Sequence, residues 1–254
     1  MQKPGIFKFV VFLILVSLGT LTLKSQDTIR ILFIGNSYTF ANTGVTTPEL
    51  PLRLKEMGSL YGKIIQTDFA GAGGVNLEKT WKSGKASLKI NEGQYNYVVI
   101  QEHSLGTLKN FDNFEKYARK FADLISKNNA KPVFYMTWGR QNRPGMIDTI
   151  SHEYIKMAEE MNSIIAPCGF AWDMTSAQYP KIELYWNDHS HPRPEGVLLN
   201  TFVFYNTLFG DIPAEPLYKF QFNDMSISED TARKLMQIAH NAMQEINFQI
   251  GNQN

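Results

Sequence analysis

This sequence has one cysteine, almost no net charge and no compositionally biased tract. Cys168 is the only cysteine in 254 residues, so no disulfide can form within the chain, and we expect this thiol to be a small buried side chain. A formal net charge of +1 argues against nucleic acid as a partner. Internal repeats and proline-rich linkers are also missing. With 43% hydrophobic residues, the chain fits a globular protein with one domain.

Two ligand-binding signatures are missing as well. "GAGG" at residues 71–74 follows a predicted strand, but neither G-x-G-x-x-G nor G-x-x-x-x-G-K-[ST] is present. "DHSH" at residues 188–191 groups an aspartate with two histidines. A zinc site needs a further ligand, typically at a helix or turn spacing such as H-E-x-x-H, and none is visible. We therefore expect no cofactor and no metal.

The first residues have the pattern of a secretory signal peptide. Lys3 and Lys8 precede an apolar run over residues 9–18, which small and polar residues follow. We expect residues 1–25 to be removed and residues 26–254 to form a single domain. An uncleaved N-terminal anchor is the alternative.

Cleavage of this segment fits best before Gln26, with cleavage after Gly19 as the alternative. The mature chain loses three lysines, so its formal net charge falls from +1 to about −2. We expect a periplasmic or extracellular protein with no stable membrane span after cleavage. No obligate protein partner is evident.

Segments of strand and helix character alternate along the rest of the chain. Continuous apolar, β-branched runs predict buried strands, and apolar residues at intervals of three and four predict helices. This alternation predicts an α/β fold with three α/β/α layers around a central, mostly parallel sheet of about five strands. The predicted strands cover 29–35, 63–74, 95–104, 131–139 and 170–175, and the predicted helices cover 47–62, 111–129, 152–169, 194–210 and 228–247.

Ser37 follows the first predicted strand, where side chains meet ligands in such sheets. Alone it is consistent with a helix N-cap, and Thr39 occupies the second glycine position of a G-x-S-x-G nucleophile elbow. Asp188 and His191 lie three residues apart before Pro192, so a short loop can bring the carboxylate onto the imidazole. The alternative for this second stretch is a polar surface turn.

"FIGNSYT" and "DHSHPRPEG" resemble the first and last blocks of the SGNH (GDSL-like) hydrolase superfamily. The resemblance covers nearly the whole mature chain and implies a flavodoxin-like fold. It implies that Ser37 is the nucleophile, His191 the general base and Asp188 the residue that orients it. His189 does not match the family spacing and is expected at the rim of the site. The family's usual aspartate in the first block is replaced here by Asn36.

The same resemblance implies an oxyanion hole. The Ser37 N–H is one donor, and Gly74 is matched to the glycine of the second block, with Gly73 as the near alternative and Gly71 also available. The third block normally supplies an asparagine amide, but "VVIQEHS" contains none. Gln101 is therefore predicted as the third donor. "QEHS" is similar to the Gln-Gly-Glu-Ser of relatives that act on acetylated sugars.

Aromatic residues near these strand ends suggest a sugar substrate. Trp138 and Trp186 are predicted to bind substrate by stacking, although core packing is the alternative for each. We expect Arg140 to be a surface arginine, with contact to an anionic or hydroxyl-rich substrate as the alternative. Together with the Ser37, Asp188 and His191 pattern, the resemblance implies an exported serine esterase acting on small-molecule or glycan esters, with O-acetyl groups of carbohydrates as the expected target. The alternative is a non-catalytic carbohydrate-binding protein on the same fold.

Overall fold

The computed structural model describes residues 27–41, 47–210, 221–222 and 225–251. The predicted signal peptide lies outside these residues. Five strands form the central sheet and two form a short hairpin: β1 Ile29–Gly35, β2 Ile65–Gly71, β3 Tyr97–Ile100, β4 Lys131–Tyr135, β5 Ile164–Ala166, β6 Gln221–Phe222 and β7 Met225–Ser226.

The helices of the described part differ widely in length. The four short ones are α1 Ser37–Phe40, α3 Leu77–Lys82, α4 Lys85–Gly93 and α5 Gly106–Lys109. The longer ones are α2 Glu49–Leu60, α6 Phe111–Lys127, α7 Met146–Glu160, α8 Cys168–Gln178, α9 Pro194–Phe209 and α10 Glu229–Gly251.

The central sheet is parallel throughout, with the strand order β2-β1-β3-β4-β5. Because crossovers between parallel strands are right-handed, this strand order puts α2 on one face of the sheet and α4, α6 and α7 on the other. Helix α9 packs against α2, α8 and α10, while α6 packs against α3, α4 and α7. The predicted three-layer α/β/α fold is thus confirmed. Because the strand order reverses between β1 and β3, the carboxyl ends of these two strands border a crevice suited to ligands.

Burial on both faces explains why the central strands are continuous apolar runs. The four residues from Ile31 to Ile34 on β1 are fully buried, as are Val98, Val99 and Ile100 on β3. Helix α6 instead buries one stripe, which includes Phe114, Ala118, Phe121 and Ile125. The sheet therefore forms a rigid platform whose strand ends position the loops of the site.

The prediction for the fifth strand was wrong. Residues 170–175 belong to α8, in which Cys168, Ala171, Trp172 and Thr175 are buried at helical spacing. The edge strand is β5, which lies inside the predicted helix over residues 152–169. Helix α7 ends before Asn162, whose left-handed backbone (φ 46°) redirects the chain into β5.

No helix within the described ranges is both long enough and apolar enough to cross a membrane.

Candidate active site

The hydroxyl of Ser37 is not used as a helix cap. Ser37 begins α1, and the preceding Asn36 is the N-cap, since its Oδ1 accepts a hydrogen bond from the Tyr38 N–H at 3.2 Å. The Ser37 side chain is therefore left to point into the crevice. There its Oγ lies 2.9 Å from His191 Nε2, so the structure brings together two residues that are far apart in the sequence.

Asp188 completes this arrangement. Its Oδ2 is hydrogen-bonded to His191 Nδ1, and its Oδ1 accepts the backbone N–H groups of Ser190 at 3.0 Å and His191 at 2.9 Å. Partial burial raises the pKa of Asp188, but hydrogen bonds from the His191 side chain and from these backbone groups outweigh burial and lower it. An ionised carboxylate thus holds the imidazole with Nε2 facing the serine, the relation that a nucleophile, a base and an orienting acid require.

The loop that carries Asp188 and His191 is anchored by buried groups. The Ser190 Oγ lies 2.6 Å from the Tyr38 hydroxyl, and the Ser190 carbonyl accepts the Trp138 Nε1–H at 3.0 Å. The Tyr38 ring also meets the His191 ring edge-on at 5.4 Å. These contacts connect the loop directly to the helix that begins with the serine.

His189 lies outside this arrangement, as the sequence predicts. Its exposed imidazole contacts Gln141 Oε1 at 2.8 Å, and its backbone has a positive φ of 57°. The turn at this residue lets the flanking Asp188 and His191 approach each other.

Trp138 does not present a face to substrate, contrary to the prediction. Its side chain is 1% exposed and lies between two other rings. Tyr38 stacks on one side at 4.5 Å between centroids, and Trp172 stacks on it at 3.8 Å. Trp138 is therefore part of an aromatic stack that supports the site from below.

Trp186 is better placed for a substrate. It lines a cavity of about 400 Å³ together with Ser37, Asp188 and His191. The indole is partly exposed, and the Arg193 guanidinium lies 5.0 Å from its ring centroid. Of the two predicted tryptophans, this one borders the reacting groups.

Two backbone N–H groups are available near the Ser37 hydroxyl. Within the described part, neither the Ser37 N–H nor the Gly74 N–H donates a hydrogen bond to another group of the protein. Gly74 has a left-handed backbone (φ 68°) and lines a cavity of about 340 Å³ with Ser37 and His191. Neither Gly71 nor Gly73 is among the residues that line it. Of these three glycines, Gly74 is thus the one that shares this cavity with Ser37.

Gln101 cannot supply the third donor, because both of its amide hydrogens are used inside the protein. It is 1% exposed, and its Nε2 donates to Asn36 Oδ1 at 2.8 Å and to the Glu102 carbonyl at 3.0 Å. Its Oε1 accepts from the Asn36 N–H at 3.1 Å and from Thr39 Oγ1 at 2.7 Å. The prediction of an oxyanion donor is corrected here: Gln101 holds the turn that carries the serine.

His103, the histidine of "QEHS" after the third strand, is a candidate donor instead. It lines the 340 Å³ cavity with Ser37 and Gly74, and its Nδ1 accepts the Leu105 N–H at 3.3 Å. Burial lowers the pKa of His103, and the nearby positive charges, Arg140 foremost, lower it further. The neutral ring therefore carries its hydrogen on Nε2. The position of His103 after the third strand could have identified it from the sequence. The amide of Gln101 was preferred there because it resembles the amide of asparagine more closely.

Glu102 is a buried carboxyl group behind the same loop. It is 2% exposed, and its two oxygens accept the backbone N–H groups of His103 at 2.7 Å and Leu77 at 3.2 Å. Burial raises the pKa of Glu102 to about 7, although these two hydrogen bonds oppose the rise. Glu102 thereby ties the end of β3 to the start of α3, next to Gly74.

The described residues contain no group of three or more His, Cys, Asp or Glu side chains that could hold a metal ion. Cys168 is buried, and burial raises the pKa of its thiol well above the usual value. It lies in the core, lines neither cavity that contains Ser37, and is not a candidate nucleophile.

Comparisons with known proteins give matches among solved structures. No protein-family model and no curated protein matches the chain. A protein from Slackia heliotrinireducens, assigned as a candidate SGNH hydrolase, is 23% identical over 72% of this chain and 100% of its own, with a TM-score of 0.60. A DUF4886 family protein from Bacteroides uniformis is 16% identical over 86% of this chain and 95% of its own, with a TM-score of 0.68. An acetylxylan esterase from Geobacillus stearothermophilus is 15% identical over 74% of this chain and 97% of its own, with a TM-score of 0.60.

The chain therefore has the fold of the SGNH hydrolases. The resemblance of the first and last sequence blocks is confirmed at the level of the fold, since these structures cover most of the described residues.

Proposed function

We propose that this protein is a serine esterase in which Ser37, His191 and Asp188 act as a catalytic triad. The observation that carries the proposal is the continuous chain of hydrogen bonds from Ser37 Oγ through His191 to Asp188, at the carboxyl end of β1. A surface turn with an incidental serine nearby would not need this alignment.

In the proposed reaction, Ser37 Oγ bonds to the acyl carbon while His191 Nε2 accepts the hydroxyl proton. The tetrahedral intermediate then expels the alcohol, which takes the proton from His191. Water attacks the acyl-enzyme by the same route, releasing the carboxylic acid and restoring Ser37. Asp188 stays ionised throughout and stabilises the imidazolium.

The carbonyl oxygen becomes negatively charged in the intermediate and needs donors that are already in place. We assign the N–H groups of Ser37 and Gly74 to this role. The third donor is His103 Nε2–H, in place of the asparagine that the family uses. Three neutral donors on separate loops would then surround the oxyanion.

The proposed substrate is an O-acetyl group on a carbohydrate, which the protein meets after export. Support comes from the partly exposed Trp186 beside Ser37 and from the fold shared with an acetylxylan esterase. The pattern of residues 1–25 supports export to the periplasm or the cell exterior.

The experiment is hydrolysis of p-nitrophenyl acetate and of acetylated glycans by wild type, Ser37→Ala and Ser59→Ala. Ser59 is an exposed serine on α2 and serves as the matched control. We expect Ser37→Ala to lose activity by about four orders of magnitude or more, and Ser59→Ala to retain it. Equal rates for wild type and Ser37→Ala would refute the esterase. Glycan binding by both proteins in that event would favour the carbohydrate-binding alternative.

A further inference from the structure

The guanidinium of Arg140 lies at the active site without a partner among the residues that the structure describes. Arg140 lines the 340 Å³ cavity with Ser37, His103 and His191. Its Nε is buried and unbonded, and within the described ranges its side chain forms no hydrogen bond or ion pair. A buried N–H group without a protein acceptor is costly, and at the mouth of a site it is free to donate to a ligand oxygen.

The acidic residues nearby do not neutralise Arg140. A neighbouring cavity of about 290 Å³ is lined by Arg140, Asp173 and Glu183, yet neither carboxylate is within ion-pair distance of the guanidinium. Asp188, the one acidic residue of the triad, is engaged by His191.

Further cations lie on the other side of His103. A cavity of about 280 Å³ continues from His103 and Gly74 and is lined by Lys79 and Lys109, which form no ion pair among the described residues. Arg140, Lys109 and Lys79 all act on the His103 ring as positive charges. Among the described residues, the buried Glu102 is the one carboxyl group that lines this 280 Å³ cavity. Three cationic side chains therefore lie around the His103 side of the site, although the whole chain is nearly neutral.

We propose that Arg140 binds an anionic oxygen group on the substrate, so that the preferred substrates are acetylated glycans bearing a carboxylate or sulfate. A planar guanidinium presents paired donors that match the oxygens of either group. Lys109 and Lys79 then attract the neighbouring charged units of the same polymer. This inference rests on the proposed function and adds the chemical class of its substrate.

The test uses acetyl esters of three matched sugars: methyl glucoside, methyl glucuronoside and methyl glucoside 6-sulfate. The glucuronoside differs from the glucoside only in carrying a carboxylate for the hydroxymethyl group. For each anionic sugar, the ratio of its kcat/KM to that of the neutral sugar is measured in wild type, Arg140→Gln and Arg143→Gln. Arg143 is an exposed arginine on the same loop and is the matched control.

We expect wild type and Arg143→Gln to prefer at least one anionic ester, and Arg140→Gln to lose about ten- to a hundred-fold of that preference. Preference for the glucuronoside alone, or for the glucoside 6-sulfate alone, supports the proposal and shows which anionic group Arg140 binds. The absence of any preference in wild type, or an equal preference in Arg140→Gln, overturns it.

A binding measurement separates this inference from the proposed function. Ser37→Ala and the double variant Ser37→Ala/Arg140→Gln are titrated with the three sugar esters by calorimetry, which requires no turnover. Tighter binding of an anionic ester by Ser37→Ala, lost in the double variant, supports recognition by Arg140 whether or not Ser37 is a nucleophile. Equal affinities in both proteins overturn the inference and leave the esterase proposal untouched.

Discussion

Replacement of Glu102 by glutamine should change how the stability of the protein depends on pH. In the folded protein the Glu102 carboxyl is buried and its pKa is about 7, against an ordinary value of 4.5. Between these two values the folded state holds a proton that the unfolded state has released. Stability due to Glu102 is therefore fully present below about pH 4.5 and is lost as the pH rises through 7.

The size of the effect follows from the two pKa values. Each unit of difference corresponds to about 1.4 kcal/mol, so the full loss is about 3.5 kcal/mol, of which about 2.5 kcal/mol falls between pH 5 and pH 8. Glu102→Gln has no proton to lose. It also disturbs the hydrogen bonds to the backbone of His103 and Leu77, but that loss is the same at both pH values and cancels in the comparison.

The assay is urea unfolding of wild type, Glu102→Gln and Glu159→Gln at pH 5 and pH 8. Glu159 is an exposed glutamate on α7 and controls for the loss of a carboxylate as such. We expect the unfolding free energy of wild type and Glu159→Gln to fall by about 2.5 kcal/mol more than that of Glu102→Gln between the two pH values. Parallel changes in all three proteins would refute a raised pKa for Glu102 and the burial argument behind it.

Three further predictions concern the site and its support. Asp188→Asn should lower kcat by about 10⁴-fold, because the imidazole loses its orienting charge, while the melting temperature changes little for this half-exposed residue. His103→Ala should lower kcat by about 10²- to 10³-fold, and His103→Asn should recover most of it. No loss of kcat in His103→Ala would exclude the ring as an oxyanion donor. Gly35→Ala should lower the unfolding free energy by about 1–3 kcal/mol in urea titrations, since its Cβ would lie 2.5 Å from Thr39 Oγ1 and 2.6 Å from Gln101 Oε1. Unchanged stability would mean that this turn can relax.

The sequence predicted the fold well wherever local pattern and tertiary environment agree. Four of the five strands of the sheet and the long helices over residues 111–127 and 194–209 appear where apolar spacing placed them. The prediction of the edge strand β5 was wrong because three apolar residues between two helices are too few to show the alternation of a strand. A left-handed asparagine and pairing with β4 decide its structure, and neither is visible in the pattern of hydrophobic residues.

The site was predictable where the chemistry depends on spacing along the chain. Asp188 and His191 lie within one loop, so three residues suffice to predict their contact. Gln101 and Trp138 are different, because their roles depend on what surrounds them in space. The sequence identifies an amide group and an indole at strand ends, but only the folded core shows that Asn36 uses the amide and that Tyr38 covers the ring.

Asn36 and Gln101 form one unit that explains both departures from the family pattern. Asn36 Nδ2 donates to the Val75 carbonyl at 3.1 Å while its Oδ1 accepts from Gln101 Nε2. An aspartate at position 36 would have no hydrogen to give to Val75. The asparagine in the first block and the glutamine in the third block therefore depend on each other, which a motif compared one block at a time does not reveal.

The stack of Tyr38, Trp138 and Trp172 bears on how the protein loses activity when it is heated. The loop that carries His191, the proposed general base, is hydrogen-bonded to Tyr38 and Trp138, and the Trp138 ring stacks in turn on Trp172 in α8. Any loosening of the core beneath Trp172 is transmitted to the distance between Ser37 and His191, on which turnover depends steeply. Catalysis should then be lost at a lower temperature than the one at which the sheet unfolds. On heating, the loss of activity should precede any change in the far-ultraviolet circular dichroism spectrum.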